Sequence, residues 1–363
     1  LNLSDLPIEL KEFNTKYNGE AQEYILQLGY EHYAVDEILK RLLPNLAEVP
    51  SAFEQAGHLA HLNLRDEALP YKKLIAQVLL DKNPAIKTVV NKIGNIETEF
   101  RTFPMELLAG EDNYEVTLRE SNARFTFNFA QVYWNSRLQM EHSRLIEKIQ
   151  STAGYRTITI SNKGSNKSTT NNNTATQSTT KSPPLVVADM MAGVGPFAVP
   201  LAMPLYSNNT TRTMRERDII VHANDLNPAS FKYLEMNAHN NHCAPGRRLH
   251  CYNMCGRDFI LKLLSEDTVF EEAIMNLPAN ATDFLDVFIG LRSRIGPDRA
   301  KAWAQLPRIN VYAFSTYMED PIGDIVRRSA GVLRCSETCL RTGHSDTATT
   351  STATAPTTTE VVA

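Results

Sequence analysis

Cysteine is scarce in this chain and poorly spaced for pairing. Its 363 residues include five, Cys243, Cys251, Cys255, Cys335 and Cys339, an odd number with no Cys-x-x-Cys pair. That argues against a disulfide framework and against a zinc site, so no metal is expected and a reducing compartment is the simplest reading. A run of about eighteen apolar residues is also lacking, so no spanning helix and no membrane partner are expected. Basic residues are not in excess, with Lys and Arg at 37 against 41 Asp and Glu for a net charge of −4. Such a balance does not advertise a nucleic-acid partner, although an average over the chain can hide a local basic face. The first residue is Leu1 rather than methionine, so the chain reads as a piece of a longer protein, with any targeting segment upstream out of view. Apolar residues are plentiful at 42% of the total, enough for sizeable cores, and the length predicts two compact units plus linkers.

Residues 1–50 read as a helical remnant, with apolar positions at three- and four-residue spacing over Ala21–Leu28 and Tyr33–Leu43 and a stop at Pro44. They either pack on a larger unit or form a small separate one. Residues 53–150 mix strands and helices, with a helix over Tyr71–Lys82 and alternation in Arg124-Phe125-Thr126-Phe127-Asn128-Phe129. An α+β unit follows from that mixture. Residues 161–184 are rich in Ser, Thr and Asn and nearly free of large apolar side chains, which predicts a disordered insert, and Ser207–Thr211 reads as a smaller loop of that kind. From 185 to about 330, strands at Leu185–Ala188, Ile219–Ala223, Glu272–Met275 and Asn310–Phe314 alternate with helices such as Ser230–Asn240 and Ala279–Phe288. Alternation of this sort predicts an α/β unit with a parallel sheet covered on both faces. Residues 345–363, mostly Thr, Ala and Ser, read as a disordered tail.

The chemistry concentrates where the first strand of that unit ends. Val186-Val187-Ala188-Asp189 runs into Met190-Met191-Ala192-Gly193-Val194-Gly195-Pro196, and Asn224-Asp225-Leu226-Asn227-Pro228 closes the next strand. A turn carrying Gly193 and Gly195 lets backbone amides approach a ligand, and a carboxylate at the end of the second strand can accept from both hydroxyls of a ribose. Pro196 has no N–H to offer a pyrophosphate and fixes its own φ, so a nucleoside without a pyrophosphate suits this loop better, S-adenosylmethionine being the common one. Asp189 is placed at the same crevice, where it could meet the methionine amine. Two readings stand for Asp225: a ribose ligand, or the organiser of an Asn-Pro turn. On the first, Leu226 offers the adenine an apolar surface and an amide.

Asn276-Leu277-Pro278 ends the third strand and presents an amide with both donor and acceptor, matching the edge of a nucleobase, or else a cap for the helix that follows. A second cluster runs Tyr133-Trp134-Asn135-Ser136-Arg137-Leu138-Gln139-Met140-Glu141-His142 into a helix over Ser143–Ile149. Folded over the crevice, it makes Glu141 a candidate base and His142 a cofactor contact; the helix dipole alone equally favours a Glu there. Arg101 stands alone, and a surface or salt-bridge role is its default. Arg65, Lys72, Lys73, Lys82, Lys87 and Lys92 are either a solvated face or a track for a phosphate backbone.

Taken together, Phe53–Arg65, Leu69–Ile75, Val89–Lys92, Met105–Glu111, Tyr133–His142, the glycine turn, Asn224–Pro228 and Met275–Pro278 resemble the eukaryotic and archaeal tRNA (guanine(37)-N1)-methyltransferase family over roughly Phe53 to Ser315. The resemblance implies a Rossmann-like class I methyltransferase unit preceded by an α+β tRNA-binding or linking unit and a shortened tRNA-corner domain. It implies a monomer that uses S-adenosylmethionine to methylate the guanine 3′ of the anticodon, in the mitochondrial matrix, cytoplasm and nucleus. By matching positions, Glu141 is the general base and Arg101 the transition-state arginine. Tyr133, Arg137, Asn276 and Pro278 hold the target base, and His142, Asp189, Gly193, Gly195, Asp225, Leu226, Cys255, Gly256 and Asn276 contact the cofactor. Alternatives are the aminocarboxypropyl transferase of wybutosine synthesis and a degenerate tRNA-binding protein. Two departures stand out. Cys255-Gly256 replaces the family's Asp-Gly, removing a charge-assisted hydrogen bond worth about 1.5–3 kcal/mol. Beyond Arg328 the family's closing strands are not recognisable, which predicts an unpaired sheet edge.

Overall fold

A computed structural model describes residues 7–17, 25–46, 48, 50, 52–94, 100–159, 182–204, 211–294, 306–337, 341–342 and 357–362. Helix α1 covers Ile8–Tyr17 and α2 covers Val35–Leu42. The helix expected over Ala21–Leu28 is not seen where it can be checked, because Ile25–Gly29 has no regular structure. Ile38 and Leu39 of α2 share a core with Ile75 and Leu79, so α2 packs onto the α+β unit.

That unit holds β1 (Glu54–Ala56), β2 (Leu59–Leu62), α3 (Lys72–Lys82), β3 (Thr88–Lys92) and β4 (Met105–Gly110), with the sheet in order β1-β2-β3-β4. The hairpin of β5 (Glu115–Glu120) and β6 (Ala123–Asn128) follows, then α4 (Gln139–Thr152). The alternation in β6 is realised as expected: Ala123, Phe125 and Phe127 are buried while Arg124 is exposed. A small pair, β7 (Arg156–Thr159) with β9 (Thr211–Met214), brackets β8 (Leu185–Asp189) and α5 (Ala198–Ala202). Most of the 161–184 insert and of the 207–211 loop lies outside the described residues; Thr211 itself begins β9.

The remaining elements are β10 (Ile219–Asn224), α6 (Pro228–Asn240), β11 (Leu249–Tyr252), α7 (Gly256–Ser265), β12 (Glu272–Asn276), α8 (Leu291–Arg294), β13 (Arg308–Ala313), α9 (Pro321–Leu333), β14 (Arg341–Thr342) and β15 (Thr357–Val362). The helix expected at Ala279–Phe288 is a 3-10 segment over Ala281–Phe288. The seven strands run β11-β10-β8-β12-β13-β15-β14, with β8 and β10 to β13 parallel and β15 antiparallel to β13. This corrects two expectations. The sheet edge beyond β13 is paired, and the last stretch of the expected tail, Thr357–Val362, is a strand in register with Arg308–Ala313. Its Thr and Val content has the β-branched preference for a pleated surface, which a purely compositional view of a Thr-rich end overlooks.

One face of the large sheet shares a core with the α+β unit, where Phe125, Phe127 and Ile146 cluster with Val187, Phe197, Leu234 and Ile274. The other face packs Met275 and Val311 against Phe259, Leu263 and Ile325. Proline and asparagine start α6 as the sequence suggests, Asn227 Oδ1 accepting from the Ala229 amide at 2.9 Å ahead of Pro228 at the first position.

The edge of this sheet carries a pH-sensitive group. The His222 ring stacks on His250 at 4.6 Å, its Nδ1 lies 2.9 Å from Tyr252 Oη, and burial, then the neighbouring His250, push its pKa down to about 4. The folded protein therefore keeps a neutral imidazole where the unfolded chain, titrating near its ordinary 6.5, takes up a proton. Stability from this group is fully present above pH 6.5 and is lost as pH falls toward 4, by about 1.4 kcal/mol per pH unit at most. Urea unfolding from pH 7.5 to 4.5 should show that slope, and His222→Gln should flatten it.

Candidate functional site

The order of strands reverses beside β8, where open α/β sheets leave a crevice outside their carboxyl ends. A cavity of about 380 Å³ lies there, lined by the glycine turn, Asp225 and Leu226, Cys255 and Gly256, Asn276 to Pro278, and by Arg101, Tyr133 and His142 from the α+β unit. A second hollow, at the β11 edge, is lined by Glu235, Pro245, Gly246 and Leu249–Tyr252. No buried unpartnered polar atom among the described residues belongs to that second lining, whereas His142 Nε2 and Asn276 Oδ1 belong to the first.

The turn is fixed by its neighbours. The Met190 amide donates to the Ile274 carbonyl at 2.9 Å and the Ala192 amide to the Asn224 carbonyl at 2.7 Å. Gly193 N donates to Asp225 Oδ2 at 2.8 Å and Asn227 N to Asp225 Oδ1 at 2.9 Å. Asp225 thus organises both the turn and the Asn-Pro corner while standing on the cavity wall. Burial raises its pKa, opposed by these amides and by Ser230.

The two glycines do different work. Both adopt positive φ, +56° at Gly193 and +99° at Gly195, but a Cβ on Gly193 meets nothing within 4 Å whereas one on Gly195 would stand 2.6 Å from Val199 Cγ2 and 2.8 Å from Leu234 Cδ1. Gly195 is therefore a packing position outside the cavity lining, which corrects its expected role as a cofactor contact. Gly193→Ala should cost about 1–2 kcal/mol from backbone strain alone. Gly195→Ala adds about 1–3 kcal/mol of overpacking to that, and equal losses in denaturant midpoints would contradict the distinction.

Asn276 is not a helix cap. Its Oδ1 is buried with no hydrogen-bond partner among the described residues, and the 3-10 segment after it begins at Ala281 with Asn280 at the N-cap position. A buried acceptor without a donor is costly, and a ligand that brings a donor would relieve that cost. His142 is similar: Nδ1 meets Glu120 Oε1 at 2.5 Å, the ring stands edge-on to Phe197 at 4.8 Å, and Nε2 is buried without a partner.

Arg101 takes a left-handed backbone, φ +56°, and donates to Asn280 Oδ1 at 2.8 Å, bridging the α+β unit to the 3-10 segment. Burial lowers its pKa, with Tyr133 opposing. Arg101 therefore departs from the default of a surface ion pair.

Besides Gly195, three expected residues do not reach the lining. The Asp189 carboxyl is fully buried, meets no well-aligned donor among the described residues, and is pushed well above the ordinary carboxylate range by burial and then by Asp225, against a pull from the Met191 amide. Met190 and Met191 line the cavity in its place. Arg137 is directed by the short 3-10 turn Ser136–Leu138 onto β1, pairing with Glu54 at 2.7 Å while 72% exposed. Glu141 stands in the first turn of α4, held by Arg144 at 2.5 and 2.8 Å, and its charge reaches the buried Tyr312. The basic stretch is largely engaged: Lys72 pairs with Glu106 at 2.7 Å and Lys82 donates to the Tyr30 carbonyl at 2.9 Å.

Asn224 went unremarked in the sequence and is central. Fully buried, it donates to the Met190 and Met254 carbonyls at 3.1 and 2.9 Å and accepts from the Met254 amide at 3.1 Å, tying the glycine turn to the loop that carries Cys255. Its strand, Ile219-Ile220-Val221-His222-Ala223-Asn224, carries no local signal of this role.

Comparison with known proteins agrees with this geometry. Residues 35–113 match the TYW2 N-terminal domain and 165–296 the TRM5/TYW2 methyltransferase domain. The chain is similar to a tRNA (guanine(37)-N(1))-methyltransferase of Phytophthora infestans, 42% identical over 91% of this chain and 66% of that protein. It is also similar to one of Candida albicans, 36% identical over 87% of this chain and 70% of that protein. Among solved structures, Trm5b from Pyrococcus abyssi covers 90% of this chain and 77% of its own at a TM-score of 0.55 and 23% identity, a likeness of fold. The chain spans 52–70% of the lengths of the curated relatives compared. Cavity, strand order and sequence agree, and the chain belongs to the tRNA (guanine(37)-N(1))-methyltransferase family.

Proposed function

We propose that this protein methylates N1 of the guanine 3′ of the anticodon in tRNA, with S-adenosylmethionine as methyl donor. The observation that carries the proposal is one cavity with two chemistries: Gly193, Asp225 and Leu226 on a nucleoside-binding side, Arg101, Tyr133 and Asn276 on the other. The residues fit the donor. Gly193 leaves open space where a side chain would stand, Asp225 retains acceptor capacity toward the cavity, and Leu226 is 41% exposed. When bound, S-adenosylmethionine supplies an electrophilic methyl group.

What remains for the protein is proton and charge management. Guanine N1 carries a proton at neutral pH and is a poor nucleophile until a base removes it. Glu141, which stands outside the cavity lining and is held by Arg144, is that base in this reading, and must leave Arg144 and turn into the cavity for the step. As the proton leaves, negative charge spreads to O6, where the Arg101 guanidinium, fixed by Asn280 in a half-buried setting, stabilises it. The unpartnered Asn276 Oδ1 is suited to accept from an amino group of the purine, and Tyr133 and Pro278 supply surfaces beside it. The target base must leave the loop stack to enter. All of these groups come from a single chain, which supports action as a monomer.

The test is incubation with labelled S-adenosylmethionine and tRNA carrying G or A at that position. Transfer to G alone supports the reading; equal transfer to both, or to neither, overturns it. Mass spectrometry of the nucleoside separates methyl transfer from aminocarboxypropyl transfer, the alternative reaction.

A further inference from the structure

Strand β6 offers its free edge to a helix rather than to another strand. Asn237 in the last turn of α6 and Asn241, the residue that caps its C-terminus, lie four residues apart, and each side-chain amide carries the donor and acceptor of a peptide group. Thr126 N donates to Asn237 Oδ1 at 2.9 Å, Arg124 N donates to Asn241 Oδ1 at 2.8 Å, and Asn241 Nδ2 donates to the Arg124 carbonyl at 2.7 Å. Four residues of helix advance about 6 Å and two residues of strand about 6.8 Å, so the two ladders match in pitch. The pair stands in for a missing strand.

Asn237 does more than its neighbour. It is fully buried, and its Nδ2 donates to the Val194 carbonyl at 3.1 Å, between the two glycines of the turn. One amide thus joins the cavity's glycine turn to the α+β unit. Strand β6 in turn carries the wall opposite: Phe125 and Phe127 hold the Trp134 ring at 5.7 and 4.9 Å, and Trp134 neighbours His142 at 6.5 Å.

We propose that Asn237 is a positioning residue that links the glycine turn to the docking of β6, so that filling the cofactor side of the cavity and placing the Tyr133–His142 wall for tRNA are thermodynamically coupled. The inference rests on the cofactor reading above. Linkage is reciprocal: what one ligand gains from the other must be returned equally, and such couplings run from about 5- to 150-fold.

Calorimetric titration of S-adenosylhomocysteine, the demethylated cofactor that cannot react, into the full chain, alone and with tRNA bearing guanine 3′ of the anticodon, tests it in wild type, Asn237→Ala and Asn241→Ala. Wild type is expected to bind cofactor at least about fivefold tighter with tRNA present. Asn241→Ala, which loosens β6 without touching the turn, should keep the cofactor affinity measured alone. Asn237→Ala should weaken it severalfold and bring the tRNA effect toward one. Should Asn237→Ala fail to fold, Asn237→Ser, whose hydroxyl is too short to span both partners, is expected to behave the same way. Wild-type coupling in the Asn237 variant, or equal effects from both asparagines that track thermal stability alone, overturns the inference. A wild-type protein that binds no S-adenosylhomocysteine overturns the cofactor reading beneath it, a separable result.

Discussion

Glu141→Gln is expected to bind cofactor and tRNA as tightly as wild type and to lose about 10²–10⁴-fold in single-turnover rate, the usual worth of a general base. The amide is isosteric but cannot accept the N1 proton, so the loss belongs to the chemical step and KM should hardly move. Raising the pH should partly restore the variant, because hydroxide then removes the proton that the amide cannot. Arg144 gives the complementary result. It holds the Glu141 carboxylate in a bidentate pair in the first turn of α4, so Arg144→Ala should free the carboxylate and alter the rate far less than removing it. A Glu141→Gln enzyme within threefold of wild type would leave the reaction without this base.

Arg101→Lys should lower kcat by about 10²–10³-fold, the loss typical when one donor to a developing oxyanion is removed. A lysine restores the charge but not the planar fork that Asn280 orients. Folding and chemistry can be separated at this position because the backbone is left-handed, φ +56°. Arg101→Gly adopts that φ without strain, so its stability should stay within about 1 kcal/mol of wild type while the rate falls as far as in the lysine variant. A single-turnover assay paired with a denaturation curve checks both, and a glycine variant that keeps its rate would remove Arg101 from the chemistry.

Local patterns reached some parts of this site from the sequence and not others. The glycine turn, Asp225 and Asn276 were accessible because each ends a buried strand, and strand ends converge wherever the sheet order reverses. Asp189 ends a strand too, but one residue of turn decided that Met190 and Met191 face the cavity and that the carboxyl lies beneath it. Arg137 belongs to a cluster that does fold over the crevice; a single 3-10 turn sends its side chain to Glu54 instead. The last strand was missed for a different reason. Composition describes what a segment can do alone, whereas Thr357–Val362 takes its hydrogen bonds from Arg308–Ala313, a partner no local window contains. Asn224, Asn237 and Asn241 share that limitation, since a buried amide is explained only by the carbonyls and amides that reach it from elsewhere.

The shared core beneath the site has a consequence for modularity. Phe125, Phe127 and Ile146 precede the Rossmann-like unit in sequence yet belong to the same buried cluster as Val187, Phe197 and Leu234. A chimera spliced after α4 would therefore cut through an interior rather than along a seam, leaving aromatic rings bare on one fragment and the underside of a sheet on the other. The two halves can be exchanged between proteins only together with the surface on which they meet.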